Sequence, residues 1–150
     1  MLGINSLGVP GVAALDESEF ARMMAIPNHH LALENSHHLV VGYALAFNGD
    51  APYDGEEFER FQRTIAKPFI YIDQIPTRLE YRRMGLGSSI YNALEKAARL
   101  SEASALCCEV NIKPPNPASL AFHLYRGFRQ SETLATADGR VVALLIEDVD

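Results

Sequence analysis

The stretch Arg82-Arg83-Met84-Gly85-Leu86-Gly87 is the most informative part of the sequence, because it joins a predicted strand to a predicted helix. Residues 69–75 before it are mostly β-branched and aromatic, a composition typical of a half-buried strand. After it, apolar residues between positions 90 and 98 recur at the spacing of one helix face. Gly85 and Gly87 carry no Cβ, so the chain between these elements can turn sharply and approach a ligand closely. The sequence therefore predicts a strand, a glycine turn and an amphipathic helix in succession.

The glycine turn is a candidate anion-binding site. A helix N-terminus presents unpaired N–H groups and about half a positive charge, which suits a phosphate. Three arginines, at positions 78, 82 and 83, add full charges nearby. A dinucleotide fingerprint would need a third glycine where Ile90 stands, and a P-loop would need Gly-Lys-Ser/Thr where Gly87 is followed by Ser88. The turn by itself leaves a purely structural role open.

A second motif lies in residues 116–128, Asn-Pro-Ala-Ser-Leu-Ala-Phe-His-Leu-Tyr-Arg-Gly-Phe. The two motifs together resemble the GNAT superfamily of acyl-CoA-dependent N-acetyltransferases, whose first signature reads Arg/Gln-x-x-Gly-x-Gly/Ala. Arg82, Gly85 and Gly87 match that signature position for position. Both signatures occur in the family's order, separated by one predicted helix and one predicted strand, and the resemblance runs over residues 69–128.

The second signature of the family begins a helix with Asn, has a small residue three positions on and usually Tyr seven positions on, and ends with Gly-Phe. Asn116, Ser119 and the pair Gly127-Phe128 are in register with it, whereas His123 occupies the tyrosine position. The resemblance implies that His123 replaces the usual proton donor to the leaving thiolate. A neutral histidine can still donate one hydrogen bond. A packed, hydrogen-bonded histidine is the alternative. Tyr125 is a fallback donor, but two residues from His123 on a helix it should face elsewhere.

The resemblance implies an α/β (α+β) fold in a single GNAT-like domain over residues 1–150. The expected sheet is mixed and mostly antiparallel, with two central parallel strands that splay apart and helices on its faces. Coenzyme A is expected in the cleft between these two strands. A chain of 150 residues is long enough for one core of this kind.

Hydrophobic patterns and turn residues predict the other elements. A helix begins at Asp16, which forms a capping pair with Glu19, and ends before Pro27. Its predicted apolar face consists of Phe20, Met23 and Met24. The remaining predicted elements are a short strand at 2–6 within an extended lead-in (1–14), a hairpin of strands 31–34 and 39–47, helices at 56–64 and from Asn116, and strands at 105–112, 128–133 and 140–147.

The resemblance assigns acetyl-CoA, as cosubstrate, to the glycine turn. Backbone N–H groups of residues 83–88 would bind its diphosphate, and peptide groups of residues 75–77 would pair with its pantetheine arm like an added strand. Asn116 and Ser119 correspond to positions that approach coenzyme A, although capping explains an Asn at a helix start equally well. The implied contacts are Ile75, Pro76, Thr77, Arg82, Arg83, Met84, Gly85, Leu86, Gly87, Ser88, Asn116 and Ser119.

The implied reaction is direct transfer of an acetyl group to a primary amine while both substrates are bound. Alkylamines have pKa values of about 10.4, so most must lose a proton before attack. Asp73 and Glu109 are the candidate bases, because a carboxylate inside an apolar strand is costly and needs a reason. A structural salt bridge or hydrogen bond is the alternative for each of them. A strand N–H near Ile75 is the candidate donor to the oxyanion.

Composition narrows the classes of partner. The net charge of −6 argues against nucleic acid and mildly favours a cationic acceptor, either a small molecule or a protein amine. No apolar run is as long as a membrane span, which needs about 20 residues, and no secretory leader is recognised. A cytoplasmic protein without membrane association is therefore expected.

Adjacent Cys107 and Cys108 are expected on opposite faces of a strand as small core residues. The histidine pairs at 29–30 and 37–38 complete no ligand set, so no metal is expected.

Two other functions stay open on the sequence. One is a catalytically silent acyl-CoA-binding sensor or interaction module, which the absence of the family's tyrosine permits. The other is a nucleotide-binding protein that uses the same glycine turn. The identity of the acceptor, the acyl chain length and the pairing of two chains into a homodimer are also open.

Overall fold

The computed structural model describes residues 16–82 and 84–150. Within them, four α-helices flank one six-stranded sheet. The helices are α1 (Glu17–Ala25), α2 (Glu56–Thr64), α3 (Leu86–Leu100) and α4 (Pro117–Arg126). The strands are β1 (Leu31–Glu34), β2 (Val40–Asn48), β3 (Phe69–Gln74), β4 (Ala105–Lys113), β5 (Arg129–Ala135) and β6 (Val141–Asp148). The predicted lead-in at 1–14, with its strand at 2–6, lies outside the described residues.

The sheet has the order β1-β2-β3-β4-β6-β5, and every neighbouring pair is antiparallel except β3 and β4. These two parallel strands, joined through α3, pair only from Phe69 with Ala105 to Tyr71 with Cys107. Beyond that point β4 stays with β6, as far as Lys113, and β3 stays with β2. The mixed, mostly antiparallel sheet with splayed central strands is therefore confirmed.

The segment after β3 remains attached to β2 on one side only. The Tyr43 N–H donates to the carbonyl of Pro76 (3.2 Å), and the Arg78 N–H donates to the carbonyl of Val41 (2.8 Å). Successive residues of an extended chain direct their backbone groups to opposite edges. The peptide groups of Ile75 and Thr77 therefore point to the other edge, where β4 has diverged.

The helices pack in two layers, one on each face of the sheet. On the first face, Phe58 and Phe61 of α2 pack with Tyr71 and Cys107 in one buried cluster that also includes Met23 of α1. The cluster on the second face contains Ile90 and Leu94 of α3, and Leu120 and Phe122 of α4 pack against Phe128 and Cys108 there. The two cysteines are buried free thiols on opposite faces, as predicted.

Local signals account for most element boundaries. Asp16 and Glu19 form the predicted capping box at the start of α1, and α2 has the predicted bounds. The predicted apolar face of α1 is confirmed for Met23, which is 1% exposed, but is wrong for Met24, which is 43% exposed. A short surface helix contacts the sheet along one stripe, and Met24 lies beside that stripe.

Replacing Leu94 by Ala should show how much the second face contributes to stability. The side chain of Leu94, a residue of α3, is fully buried, whereas Leu100 on the same helix is 78% exposed. Leu94→Ala should lower the free energy of unfolding by about 2–5 kcal/mol through lost burial and a residual cavity. Leu100→Ala, the matched control, should change it by less than about 0.5 kcal/mol. Urea unfolding followed by circular dichroism measures both, and equal losses would contradict the assigned packing face of α3.

Candidate active site

The candidate active site lies at the carboxyl ends of β3 and β4, where the two strands separate. Asp73 lies two residues beyond Tyr71 on β3, and Glu109 lies two residues beyond Cys107 on β4. Because side chains alternate along a strand, both carboxylates project from the first face of the sheet. Each is partly accessible. The structure thus brings together the two acidic residues that were predicted separately.

Two tyrosines donate hydrogen bonds to this pair of carboxylates. The Tyr53 hydroxyl donates to Oδ1 of Asp73 (2.9 Å). The Tyr71 hydroxyl lies 3.0 and 2.9 Å from the two oxygens of Glu109 and 3.4 Å from Oδ1 of Asp73. Tyr71 therefore contacts both carboxylates at once. Tyr71 lies two residues before Asp73 and therefore on the same face of the strand, which is the one feature of the sequence that could have identified it as a site residue. The strand pattern alone predicts only a core aromatic at this position.

Tyr53 reaches the site from the loop between β2 and α2. Its ring stacks on Phe47, with ring centroids 4.4 Å apart and planes inclined by 14°. Phe58, whose ring centroid lies 5.5 Å from that of Tyr53, and Phe61 are fully buried core residues. Of these three aromatics Tyr53 alone has a hydroxyl, which contacts a candidate base.

A third carboxylate and a guanidinium complete the polar network. Glu57 of α2 is 8% exposed and pairs with Arg140, whose Nη2 lies 3.0 Å from Oε1 of Glu57. Arg140 also donates from Nη1 to Oδ1 of Asn111 (3.1 Å) and pairs with Asp138. No sequence pattern singles out Glu57 or Arg140, because the two residues are 83 positions apart and meet only through packing of α2 against the sheet.

Burial and mutual repulsion perturb both candidate bases. Burial raises the pKa of Asp73 to about 6, although the hydrogen bond from Tyr53 opposes the rise. Burial raises the pKa of Glu109 well above its usual range, and the neighbouring charges of Glu57 and Asp73 act in the same direction. Burial therefore makes this pair of carboxyl groups hold a proton more readily than exposed carboxylates do.

The glycine turn has the geometry that an anion site requires. Gly85 precedes α3 with φ +78°, in the left-handed region that favours glycine. No side chain caps this helix start among the residues that the structure describes, so its first N–H groups point outward at Leu86, Gly87 and Ser88. A Cβ on Gly87 would lie 3.3 Å from the ring of Phe122, so the second glycine allows close packing of α4.

The residues around the turn are placed as follows. Met84 is 65% exposed, and Arg82 is exposed beside it. Arg78 donates from Nε to the carbonyl of Val40 (2.8 Å), so one of its donors serves the fold. Arg83 lies outside the described residues. Unpaired N–H groups at a helix start, with a nearby exposed arginine, suit a diphosphate.

His123 lies on the other face of the sheet, in an aromatic cluster with Tyr91 and Phe128. Its Nδ1 is 2.7 Å from the carbonyl oxygen of Ser119, which can only accept, so Nδ1 carries the proton. Its Nε2 then accepts a short hydrogen bond from the Tyr91 hydroxyl. Burial lowers the pKa of His123, so the ring is neutral at physiological pH, with both nitrogens engaged.

The other predicted residues of α4 lie at its first and last turns. Asn116 caps the helix by accepting the Ser119 N–H (3.4 Å), as the capping alternative expected. Tyr125 is 92% exposed and, as predicted, faces away from His123. Tyr91, the hydroxyl partner of His123, was not singled out from the sequence. Its position next to Ile90 on the buried stripe of α3 was the only signal for it.

Two negative findings concern the part of the chain that the structure describes. It contains no group of three or more His, Cys, Asp or Glu side chains that could hold a metal ion. None of its helices is both long enough and apolar enough to cross a membrane.

The sheet opens between its two parallel strands, which bear Asp73 and Glu109, and the chain continues from β3 to a glycine-led helix start. The model of the Acetyltransferase (GNAT) family matches residues 11–128, and the chain belongs to this family. Its fold and family are those of GNAT-type N-acyltransferases. No curated protein sequence gives a significant match to the chain.

Solved structures with the same fold cover nearly the whole chain. Naa20 from Chaetomium thermophilum, in complex with a bisubstrate analogue, has a TM-score of 0.76 at 17% identity, covering 99% of this chain and 80% of its own. Ard1 from Thermoplasma volcanium has a TM-score of 0.75 at 15% identity, covering 100% and 89%. The ribosomal-protein-S18-alanine N-acetyltransferase from Escherichia coli has a TM-score of 0.70 at 15% identity, covering 99% and 88%.

Removing the Tyr53 hydroxyl should change the titration of Asp73. The hydrogen bond from Tyr53 stabilises the ionised carboxylate and so lowers its pKa. Tyr53→Phe should therefore move the pKa of Asp73 above its value of about 6. Carbon-detected NMR of the labelled side-chain carboxyl measures the shift. Tyr125→Phe, which removes an exposed hydroxyl, is the matched control and should leave the titration of Asp73 where it was.

Proposed function

We propose that this protein transfers an acetyl group from acetyl-CoA to a primary amine, with both substrates bound in one complex. One observation carries the proposal: β3 and β4, which bear Asp73 and Glu109, separate after three residue pairs, and the chain from β3 leads to the uncapped start of α3. The unpaired N–H groups at the start of α3 suit the diphosphate of acetyl-CoA. The carboxylates suit an acceptor amine that arrives as a cation and must lose a proton.

Backbone groups supply the binding of acetyl-CoA in this proposal. N–H groups of Leu86, Gly87 and Ser88 hold the diphosphate, because the helix start is positive and no side chain competes for them within the described chain. The outward peptide groups of Ile75 and Thr77 pair with the pantetheine arm along the open edge of β3. The Ile75 N–H also serves as the donor to the oxyanion that forms on the thioester carbonyl.

The carboxylates select and activate the acceptor. Asp73, Glu109 and Glu57 outnumber the single guanidinium of Arg140 in the network, so the site favours a cation. With a pKa of about 6, Asp73 is mostly ionised at neutral pH and can accept a proton from the amine. The acceptor class is therefore a primary amine, on a small molecule or a protein.

One observation favours the competing function of a silent acyl-CoA sensor. His123 stands at the position of the family's usual proton donor, and both of its ring nitrogens are engaged within the fold. A protein of this kind would bind acetyl-CoA and release no thiol with any amine. Turnover separates the two functions, because binding of the donor is common to both.

Binding of the donor is tested by thermal unfolding with ligands. Acetyl-CoA at 100 times its dissociation constant should stabilise the protein by about 2.7 kcal/mol, since it binds only the folded state. ATP and NADH at the same concentration should give much smaller shifts. Stabilisation by ATP or NADH, with none by acetyl-CoA, would contradict the proposal and favour the nucleotide-binding alternative.

Turnover is tested by thiol release from acetyl-CoA with a panel of small amines and N-terminal peptides. Asp73→Asn should lower kcat by about 100-fold or more, because proton transfer to a positioned base contributes on the order of 10²–10⁴. Asp148→Asn is the matched control, since Asp148 forms an exposed ion pair with Lys67 at the opposite end of β4. The control should retain wild-type kcat. Tight binding of acetyl-CoA without thiol release from any amine would favour the sensor.

A further inference from the structure

The engagement of His123 leaves the protonation of the departing thiolate to another group. The Nδ1–H of His123 donates to Ser119, and its Nε2 accepts from Tyr91, so the neutral ring has no second proton to give. The carboxyl groups at the cleft are the other acids in the described part of the site. They lie on the opposite face of the sheet, on the strands whose separation forms the opening.

Tyr71 joins these two carboxyl groups. Its hydroxyl lies within 3.0 Å of both oxygens of Glu109 and 3.4 Å from Oδ1 of Asp73. It belongs to the last residue pair of β3 and β4 before they separate, and its side chain is fully buried. The hydroxyl is therefore held between the two carboxyl groups and shielded from water.

We propose that Tyr71 is a positioning residue that relays a proton from Asp73 to Glu109, so that Asp73 accepts the proton of the amine and Glu109 donates one to the leaving thiolate. The inference rests on the proposed function of acetyl transfer. It assigns a role to Tyr71 and an acid role to Glu109, in place of His123.

The protons balance in this cycle. The amine enters as an ammonium and loses one proton to solvent; its nitrogen then forms the C–N bond and gives a second proton to the Asp73 carboxylate. The C–S bond breaks with its electron pair on sulfur, and the Glu109 carboxylic acid protonates that sulfur. Tyr71 then donates its proton to the Glu109 carboxylate while it accepts the proton held by Asp73. The products are the amide, the free thiol of coenzyme A and one proton in solvent.

The surroundings favour one shared proton over two ionised carboxylates. Two like charges on neighbouring strands repel, and Glu57 of α2 adds a third negative charge. Arg140 offsets Glu57 on the far side of the network, and Tyr53 donates to Asp73 from the loop before α2. Burial raises the pKa of both carboxyl groups, so the pair keeps a proton at a higher pH than exposed carboxyl groups would.

The test is the pH dependence of kcat for Tyr71→Phe, measured by thiol release with an amine that the wild type accepts. The plateau of kcat should fall by about 100-fold, the lower end of what a positioned proton transfer contributes. The acid limb, at pH about 6 in the wild type, should move to higher pH, because the hydrogen bond from Tyr71 lowers the pKa of Asp73. If the substitution only disturbed packing, it would change the free energy of unfolding or the Kd of acetyl-CoA, and the acid limb of the pH profile of kcat would stay at the same pH.

Tyr43→Phe is the matched control, since Tyr43 is an equally buried tyrosine of the same core whose hydroxyl donates to Gln74 (3.4 Å). Tyr43→Phe should keep the wild-type plateau of kcat and the wild-type pH of its acid limb. If Tyr71→Phe fails to fold, Glu109→Gln provides the second test: it removes the acid, so kcat should fall and its alkaline limb should vanish.

The outcomes separate the relay from the underlying activity. A wild type that acetylates an amine, together with Tyr71→Phe at unchanged plateau and unchanged acid limb, overturns the relay and leaves acetyl transfer standing. Full activity of Glu109→Gln does the same. A wild type that releases no thiol with any amine overturns the proposed function, and the relay with it.

Discussion

The structure depends on the separation of two parallel strands after three residue pairs. Up to Tyr71 and Cys107, β3 and β4 satisfy each other's backbone groups; beyond them, each follows a different antiparallel neighbour. An opened sheet exposes a row of polar backbone groups that is costly to leave unpaired. In this protein the edge opens between the strands that bear Asp73 and Glu109.

The two faces of the sheet have different tasks. The first face holds the carboxyl network, built from two strands, α2 and the β5–β6 turn, with Tyr71 at its centre. The second face holds α3 and α4, packed through Phe122 against Gly87 and through Tyr91 against His123. A Cβ at position 87 would crowd the ring of Phe122, so the second glycine of the motif eases the packing of α4 against the first turn of α3.

The local structures that were predicted correctly at the site are those that a short stretch of sequence identifies. The glycine turn and the cap at Asn116 were read from adjacent residues, and the structure has both where they were expected. Asp73 and Glu109 were singled out as charges within apolar strands, and only the structure shows that they share one hydroxyl partner. Glu57 and Arg140 were missed because they come from separate elements whose packing no short pattern encodes. Tyr71 was missed because an aromatic residue in a strand is expected in the core. His123 was predicted as the proton donor only because it occupies the tyrosine position of the family's second signature. Its position in the signature does not determine which hydrogen bonds its ring makes.

The sequence by itself determined the order of the elements, the glycine turn and the alternation that places Cys107 and Cys108 on opposite faces. These features depend on backbone dihedral preferences and side-chain periodicity within a few residues. The tertiary structure alone decided that one buried hydroxyl contacts two carboxylates, that a guanidinium from the last hairpin offsets a glutamate of α2, and that His123 is satisfied within the core. Burial and the distance between charges control these properties, and both arise only when residues far apart in the chain pack together.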